Sequence, residues 1–148
     1  MGVEIERKFL VDKSLWEKEK PTHGTSIIQG YITKEIDRTV RVRIKGQQGF
    51  LTVKGKTVGA VRAEFEYEIP LSEAKEMLNS LCDKLIDKTR YEVVYEGKTW
   101  EVDEFNSPKE GLILAEIELN QVDESIELPA WVTKEVTEDP SYYNANMI

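Results

Sequence analysis

The chain has 148 residues, of which 40% are hydrophobic and 32% are charged. This composition excludes an intrinsically disordered chain, and the length suits one domain, which we expect to span residues 1–148. The formal net charge of −8 argues against a nonspecific nucleic-acid binder, because such proteins depend on surplus lysine and arginine. A small anionic ligand that meets a local group of cations is still compatible with this charge.

The sequence also restricts the compartment and the covalent chemistry. Cys82 is the only cysteine, so an intrachain disulfide and a cysteine zinc site are both excluded. The first residues lack the pattern of a signal peptide, and no apolar run approaches the roughly 20 residues that cross a bilayer. We therefore expect a cytoplasmic protein without nucleic-acid or membrane partners, present as a monomer or a homodimer.

Most of the chain divides into short segments in which apolar and charged residues alternate. This period of two, bounded by turn-forming residues, is typical of β-strands. Short connections such as Glu96-Gly97 favour hairpins and therefore antiparallel neighbours. The eight predicted strands cover residues 3–11, 25–33, 38–45, 50–54, 61–69, 86–95, 98–105 and 112–119.

One long segment, residues 71–85, follows a helical period instead, with Ser72 as its predicted N-cap. Shorter helical turns are predicted near Ser14 and near Pro129. The fold class indicated is α+β, an eight-stranded antiparallel β tunnel, closed or nearly closed, with a few flanking helices. The apolar stripe expected to be buried on the long helix consists of Ala74, Met77, Leu78, Leu81 and Leu85.

The charged positions of the strands are segregated by sign. A row of charges is ordinarily a solvated sheet face. Here, however, the polar face is almost purely ionic, and like charges repeat along single strands, whereas a sheet selected for solubility mixes its signs. If the strands close, these rows line an interior that requires a multiply charged guest. The cationic rows hold Arg41, Arg43, Lys45, Lys54, Lys88 and Arg90, and the acidic rows hold Glu64, Glu66, Glu68, Glu101, Asp103, Glu116 and Glu118.

The two kinds of row suit two kinds of ligand. Arginine and lysine match phosphate oxygens, arginine through forked hydrogen bonds and lysine as a point charge. Rows of carboxylates match hard divalent cations such as Mg²⁺ or Mn²⁺, which take oxygen ligands. The two together indicate a site for a polyphosphate and a metal ion.

These residues resemble those of a known family, the CYTH domain, also called the triphosphate tunnel metalloenzyme superfamily. Its ExExK signature matches Glu4, Glu6 and Lys8 in EIERK, and the resemblance covers essentially the whole chain. Thr133, Lys134 and Glu138 depart from the pattern, because relatives often have glycine there. The other matching segments, in order, are RVRIK, LTVK, RAEFEYEIP, KTRYEV, WEVDEF, LAEIEL and KEVTEDPSYYNAN.

The resemblance implies a tunnel that binds a triphosphate-containing small molecule together with Mg²⁺ or Mn²⁺. It implies hydrolysis by attack of water on a phosphoryl group, with inorganic tripolyphosphate as the leading substrate. The expected catalytic residues are Glu64, Glu66, Lys8 and Asp103. The expected substrate ligands are Lys8, Arg41, Arg43, Lys54, Lys88, Arg90 and Lys134, and the expected metal ligands are Glu4, Glu6, Glu64, Glu66, Asp103, Glu116 and Glu118.

Two other functions are compatible with the sequence. A nucleoside or thiamine triphosphatase, or a class IV adenylate cyclase, would use the same rows but would need a patch for the organic group. A polyphosphate-binding module without catalysis would need mainly the cations, so the many carboxylates argue against it.

Overall fold

The computed structural model describes residues 2–148, in which nine strands form one antiparallel sheet. Met1, the first residue of the predicted domain 1–148, lies outside the described residues. The helices are α1 (Lys13–Glu19) and α2 (Leu71–Ser80), followed by two short 3₁₀ helices at Pro140–Tyr142 and Asn144–Asn146. The strands are β1 (Gly2–Val11), β2 (Thr25–Glu35), β3 (Arg38–Lys45), β4 (Gln48–Gly55), β5 (Val61–Ile69), β6 (Leu85–Tyr95), β7 (Lys98–Ser107), β8 (Ile113–Glu118) and β9 (Val132–Glu135).

Eight of the strands close into a ring. The sheet order is β5-β4-β3-β2-β6-β7-β8-β1-β9, and a further pairing of β5 with β1 joins its ends. The predicted eight-stranded antiparallel tunnel is therefore confirmed, with strand bounds close to those expected from the alternation. The predicted hairpin at Glu96-Gly97 is also confirmed, since both residues adopt the positive φ that a tight two-residue loop requires.

The ninth strand corrects the sequence analysis, which predicts a helical turn near Pro129. β5 pairs with β1 only as far as Ile5, opposite Val61. Beyond that point β9 takes over the same edge, and the Val136 N–H donates to the Lys8 carbonyl at 2.8 Å. An exposed strand edge leaves backbone groups unpaired. Pairing with β9 satisfies the backbone groups of the part of β1 that β5 does not reach. Because the need for this pairing arises only when the ring closes, the local sequence does not reveal it.

The helices differ from expectation in their bounds. α1 confirms the turn predicted near Ser14, and the Asp12 carboxylate caps it by accepting a hydrogen bond from the Leu15 N–H. α2 is shorter than predicted, and its N-cap is Pro70 rather than Ser72. Leu81 and Leu85 are largely exposed, because the helix ends before them. Within residues 2–148, no helix is both long enough and apolar enough to cross a bilayer.

The apolar side chains pack mainly on the outside of the ring. One cluster joins α1 and the segment before β9 to the outer face of β1, β7 and β8, with Trp16, Trp100 and Trp131 at its centre. A second joins α2 to β3 and β4. A third cluster, which includes Leu114 and Met147, brings the C-terminal residues against one end of the ring. This arrangement leaves the rest of the interior to charged side chains.

The contact between α2 and β4 gives the first prediction. A Cβ at Gly49 would lie 2.7 Å from the Ala74 Cβ and 3.1 Å from the Ile69 carbonyl oxygen. We expect Gly49→Ala to lower the free energy of unfolding by about 1–3 kcal/mol, because α2 must move away from the sheet. Urea unfolding measures the change. The control is the double variant Gly49→Ala/Ala74→Gly, which should recover part of the loss, and an unchanged midpoint for the single variant would contradict the close contact.

Candidate active site

The charged rows meet inside the ring, around a cavity of about 360 Å³. The cavity lies beneath the β2–β3 hairpin, the β4–β5 loop and the C-terminal 3₁₀ helices, which contribute Ile36, Ala60 and Asn144 to its wall. The prediction that the ionic faces converge on an enclosed channel is confirmed. Of the predicted site residues, those that line this cavity are Glu4, Glu6, Lys8, Arg41, Lys54, Lys88, Arg90 and Glu116.

Lys54 connects the first strand to the acidic strand β5. Its Nζ lies 2.8 Å from Glu4 Oε1 and 3.4 Å from Glu64 Oε2. Burial raises the pKa of Glu4, and Lys54 opposes that rise. Glu64 contacts Lys54 but is not part of the cavity wall.

Arg41 and Arg43 share one carboxylate. Glu66 Oε2 lies 3.5 Å from Arg41 Nη2 and 3.4 Å from Arg43 Nη2. The Thr52 hydroxyl donates to Glu66 at 2.8 Å and accepts from Arg41 Nη2 at 3.3 Å. Nε of both arginines is buried without a hydrogen-bond partner among residues 2–148. The guanidinium groups are therefore held in place while some of their donors remain free.

Asp103 is the most tightly held carboxylate. It lies 2.8 Å from Lys88 Nζ and accepts two hydrogen bonds from Arg90, at 2.8 and 2.9 Å. Burial alone would raise the pKa of Asp103, but Lys88 and Arg90 outweigh it and hold that pKa far below its usual value. Burial also lowers the pKa of Lys88 to about 8. A carboxylate held in this way orients cations and is a poor proton acceptor.

Lys8 faces both a carboxylate and the C-terminal segment. Its Nζ lies 3.7 Å from Glu116 Oε1 and donates to the Tyr142 carbonyl at 3.1 Å. In the same way, the Asn144 Oδ1 accepts from Lys88 Nζ at 2.9 Å. Each of these two lysines therefore contacts a neutral oxygen in addition to its carboxylate partner, and the neutral oxygen adds no compensating charge.

The cavity wall has the opposite charge from the chain. Eight lysines and arginines line it against four glutamates, a local surplus of four positive charges in a chain with a net charge of −8. Cavities lined with one sign of charge concentrate ligands of the other sign. The eight cations are Lys8, Lys34, Arg41, Lys54, Lys56, Arg62, Lys88 and Arg90, and the four glutamates are Glu4, Glu6, Glu35 and Glu116.

Several predicted site residues lie outside the cavity wall. Glu118 is opposite Glu6 in register but is exposed, and Lys134 is exposed on β9. Arg43, Glu66 and Asp103 are not part of the cavity wall, but Glu66 pairs with Arg41 and Asp103 pairs with Lys88 and Arg90, which line it. The structure therefore does not bring the seven predicted metal ligands together into one cluster.

Other cavity residues were missed by the sequence analysis. Arg62 has the same parity along β5 as Glu64 and Glu66, so the alternation could have identified it. Thr52 is not part of the cavity wall but hydrogen-bonds to Arg41 and Glu66, and an isolated threonine in a strand carries no signal of its own. No local signal marks Asn144, whose position depends on how the C-terminal segment folds back over the ring.

The donor set fits a hard divalent cation. Burial raises the pKa of Glu6 well above its usual value, and the neighbouring Glu116 and Glu4 raise it further. These three carboxylates therefore crowd one another, and a cation would relieve their repulsion. Within residues 2–148, however, no group of three or more potential ligands is already gathered at metal-binding distance. Mg²⁺ is commonly held by one or two carboxylates together with substrate phosphates, which suits this open arrangement.

A closed antiparallel ring whose interior has surplus cations and several carboxylates defines a tunnel protein for polyanions. The model of the CYTH domain matches residues 2–145, and the chain belongs to this family. Membership in this family implies a metal-dependent enzyme.

Two relatives that match nearly the whole chain are named inorganic triphosphatases. An inorganic triphosphatase of Acetivibrio thermocellus is 47% identical over 149 residues, which cover 100% of this chain and 94% of the relative. An inorganic triphosphatase of Nitrosomonas europaea is 32% identical over 145 residues, which cover 95% of this chain and 93% of the relative. The crystal structure of an inorganic triphosphatase superposes with a TM-score of 0.67 at 30% identity, covering 97% of this chain and 96% of that one.

The pairing of Glu116 with Lys8 gives a pH-dependent prediction. Burial would raise the pKa of Glu116, but Lys8, together with Arg90 and Lys88, outweighs it and lowers the pKa from 4.5 to about 2. The carboxylate therefore stabilises the fold fully above pH 4.5, and this stabilisation is lost as the pH falls towards 2. We expect Glu116→Gln to cost roughly 3 kcal/mol of unfolding free energy at neutral pH and progressively less in acid.

Urea unfolding at several pH values tests this. Glu118→Gln is the matched control, since this exposed carboxylate lies two residues further along the same strand. Its effect should stay within about 0.5 kcal/mol at every pH. A loss for Glu116→Gln that does not change with pH would contradict the assignment.

Proposed function

We propose that this protein is a metal-dependent inorganic triphosphatase. Water attacks a phosphoryl group of tripolyphosphate, a P–O–P bond breaks, and orthophosphate and pyrophosphate are released. The observation that carries the proposal is the surplus of four positive charges around the cavity of a chain whose net charge is −8. Family membership supports it, as do two relatives that are named for this activity and match over nearly their whole length.

The cations are proposed to bind and orient the substrate. Lys8, Arg41, Lys54, Lys88 and Arg90 all line the cavity. Phosphoryl transfer requires little covalent work from a protein, so positioning and neutralisation of charge account for most of the catalysis. Replacement of the neutral Tyr142 and Asn144 oxygens by phosphate oxygens would give Lys8 and Lys88 a further charged partner beside Glu116 and Asp103.

The carboxylates are proposed to divide into two groups. Glu4, Glu6 and Glu116 face the cavity and would hold Mg²⁺ or Mn²⁺, which supplies Lewis-acid stabilisation of phosphate charge when bound. Glu66 and Asp103 are already engaged by arginine and lysine, so their contacts favour a role in positioning those cations. Glu64 and Glu66, which are 27% and 33% exposed, are the predicted catalytic carboxylates open to water, whereas Asp103 is buried.

The substrate prediction is tested with a panel of tripolyphosphate, ATP and thiamine triphosphate. With Mg²⁺ or Mn²⁺ we expect phosphate release from tripolyphosphate with a kcat/KM at least ~10-fold above that for the other two. EDTA should abolish the activity. Lys8→Ala and Arg41→Ala should each lower kcat/KM by ~100-fold or more, because a desolvated charged donor is lost.

Arg38→Ala is the matched control, because Arg38 is exposed on β3 and lies outside the cavity wall. Its kcat/KM should stay close to that of the wild type. Preferential turnover of ATP or thiamine triphosphate would instead favour an enzyme directed at an organic triphosphate, and formation of cyclic AMP would identify a cyclase. Tight binding of tripolyphosphate without turnover under any metal condition would indicate a binding module.

The metal site is tested through stability rather than activity. Without metal at neutral pH, we expect Glu6→Gln to raise the urea midpoint, because it removes a buried charge that Glu116 and Glu4 repel. Excess Mg²⁺ or Mn²⁺ should stabilise the wild type more than this variant. Glu68→Gln, at an exposed position on β5, is the control and should respond to metal like the wild type. An equal metal response in Glu6→Gln would remove Glu6 from the metal site.

A further inference from the structure

Arg62 is a cation of the cavity wall that the sequence-based site does not include. It lies on β5 opposite Glu4 of β1, with its side chain across the inner face of the sheet. Its Nε donates to the Gly55 carbonyl at 2.6 Å, and its Nη2 donates to the Thr39 hydroxyl at 3.3 Å. Two neutral oxygens from β4 and β3 therefore fix the guanidinium plane.

The charge of Arg62 is not neutralised from within the protein. Glu4, directly opposite, is paired with Lys54 at 2.8 Å instead. Within residues 2–148, Arg62 makes no ion pair, and its Nη1 makes no hydrogen bond, whereas Arg41, Lys54, Lys88 and Arg90 are each paired with a carboxylate. An anion that reaches Arg62 consequently meets a free donor without displacing an internal partner.

The position of Arg62 distinguishes it from the inner cations. It is the second residue of β5, next to the loop whose Gly59 and Ala60 form part of the cavity wall. Lys88 and Arg90, in contrast, are almost completely buried against Asp103. A short anion held by the inner cations would leave Arg62 free, whereas a longer one would extend towards it.

We propose that Arg62 binds the phosphate group of tripolyphosphate nearest the cavity mouth, and thereby selects triphosphate over pyrophosphate. This inference rests on the proposed function. Because its two hydrogen bonds already hold the guanidinium, binding costs little side-chain entropy, and the planar fork suits phosphate oxygens.

Binding to Arg62→Gln tests the proposal, measured by calorimetry in EDTA so that turnover does not interfere. Loss of one charged donor should weaken tripolyphosphate binding roughly 10- to 100-fold. Pyrophosphate binding should change by less than ~3-fold, because that anion is held by the inner cations. In turnover assays KM for tripolyphosphate should rise while kcat stays within ~3-fold of the wild type.

Two further variants separate a ligand contact from a structural role. Arg38→Gln removes the same charge from an exposed position on β3 and should leave both affinities unchanged. Arg62→Lys keeps the charge and should recover part of the affinity for tripolyphosphate that Arg62→Gln loses. If Arg62→Gln fails to fold, Arg62→Lys should still weaken the binding of tripolyphosphate more than that of pyrophosphate. Unchanged tripolyphosphate affinity in Arg62→Gln, or equal weakening of both anions, would overturn the proposal. Absence of turnover in the wild type would reject the hydrolase instead, because the binding comparison does not depend on catalysis.

Discussion

The enclosure of like-charged side chains is the constraint on which this structure depends. Lysines and arginines from several strands point into one ring, where little water compensates their charge. The effect is visible in Lys88, whose pKa burial lowers to about 8, and in Arg43, whose pKa burial lowers to about 10. Internal carboxylates offset part of this cost, as Asp103 does for Lys88 and Arg90. They do not balance the cavity wall, so an anionic ligand gains the remaining interaction.

Such an interior is possible because the fold derives its apolar core from the other side of the sheet. Small barrels are usually filled with apolar side chains. Here the tryptophan cluster around Trp16, Trp100 and Trp131 covers one outer face, and α2 covers another through Ala74 and Leu78. Because the stabilising contacts lie outside the ring, the inner rows are free to meet the needs of a ligand. The polar interior and the outer helices are therefore two consequences of one arrangement.

The alternation of residue types was sufficient to predict the eight strands of the ring and the side of each strand that carries charge. It also identified eight residues of the cavity wall. It could not assign partners, because these depend on register and on strands distant in sequence. Lys54, for example, pairs with Glu4 rather than only with its neighbour Glu64, since closure of β5 onto β1 brings Glu4 within reach. For the same reason Lys134 was expected at the site but is exposed. Arg62 was overlooked although its position in the inner row of β5 follows from the alternation.

The sequence by itself determined the period of the strands, the segregation of charge and the family signature at Glu4, Glu6 and Lys8. Each of these is a local property, because side chains alternate across a strand whatever lies beside it. Only the tertiary structure decided that β9 completes the edge of β1, that the C-terminal Asn144 reaches Lys88, and which carboxylates face the cavity. These features follow from closing the ring, which joins segments more than 50 residues apart through hydrogen bonds that local preference does not encode.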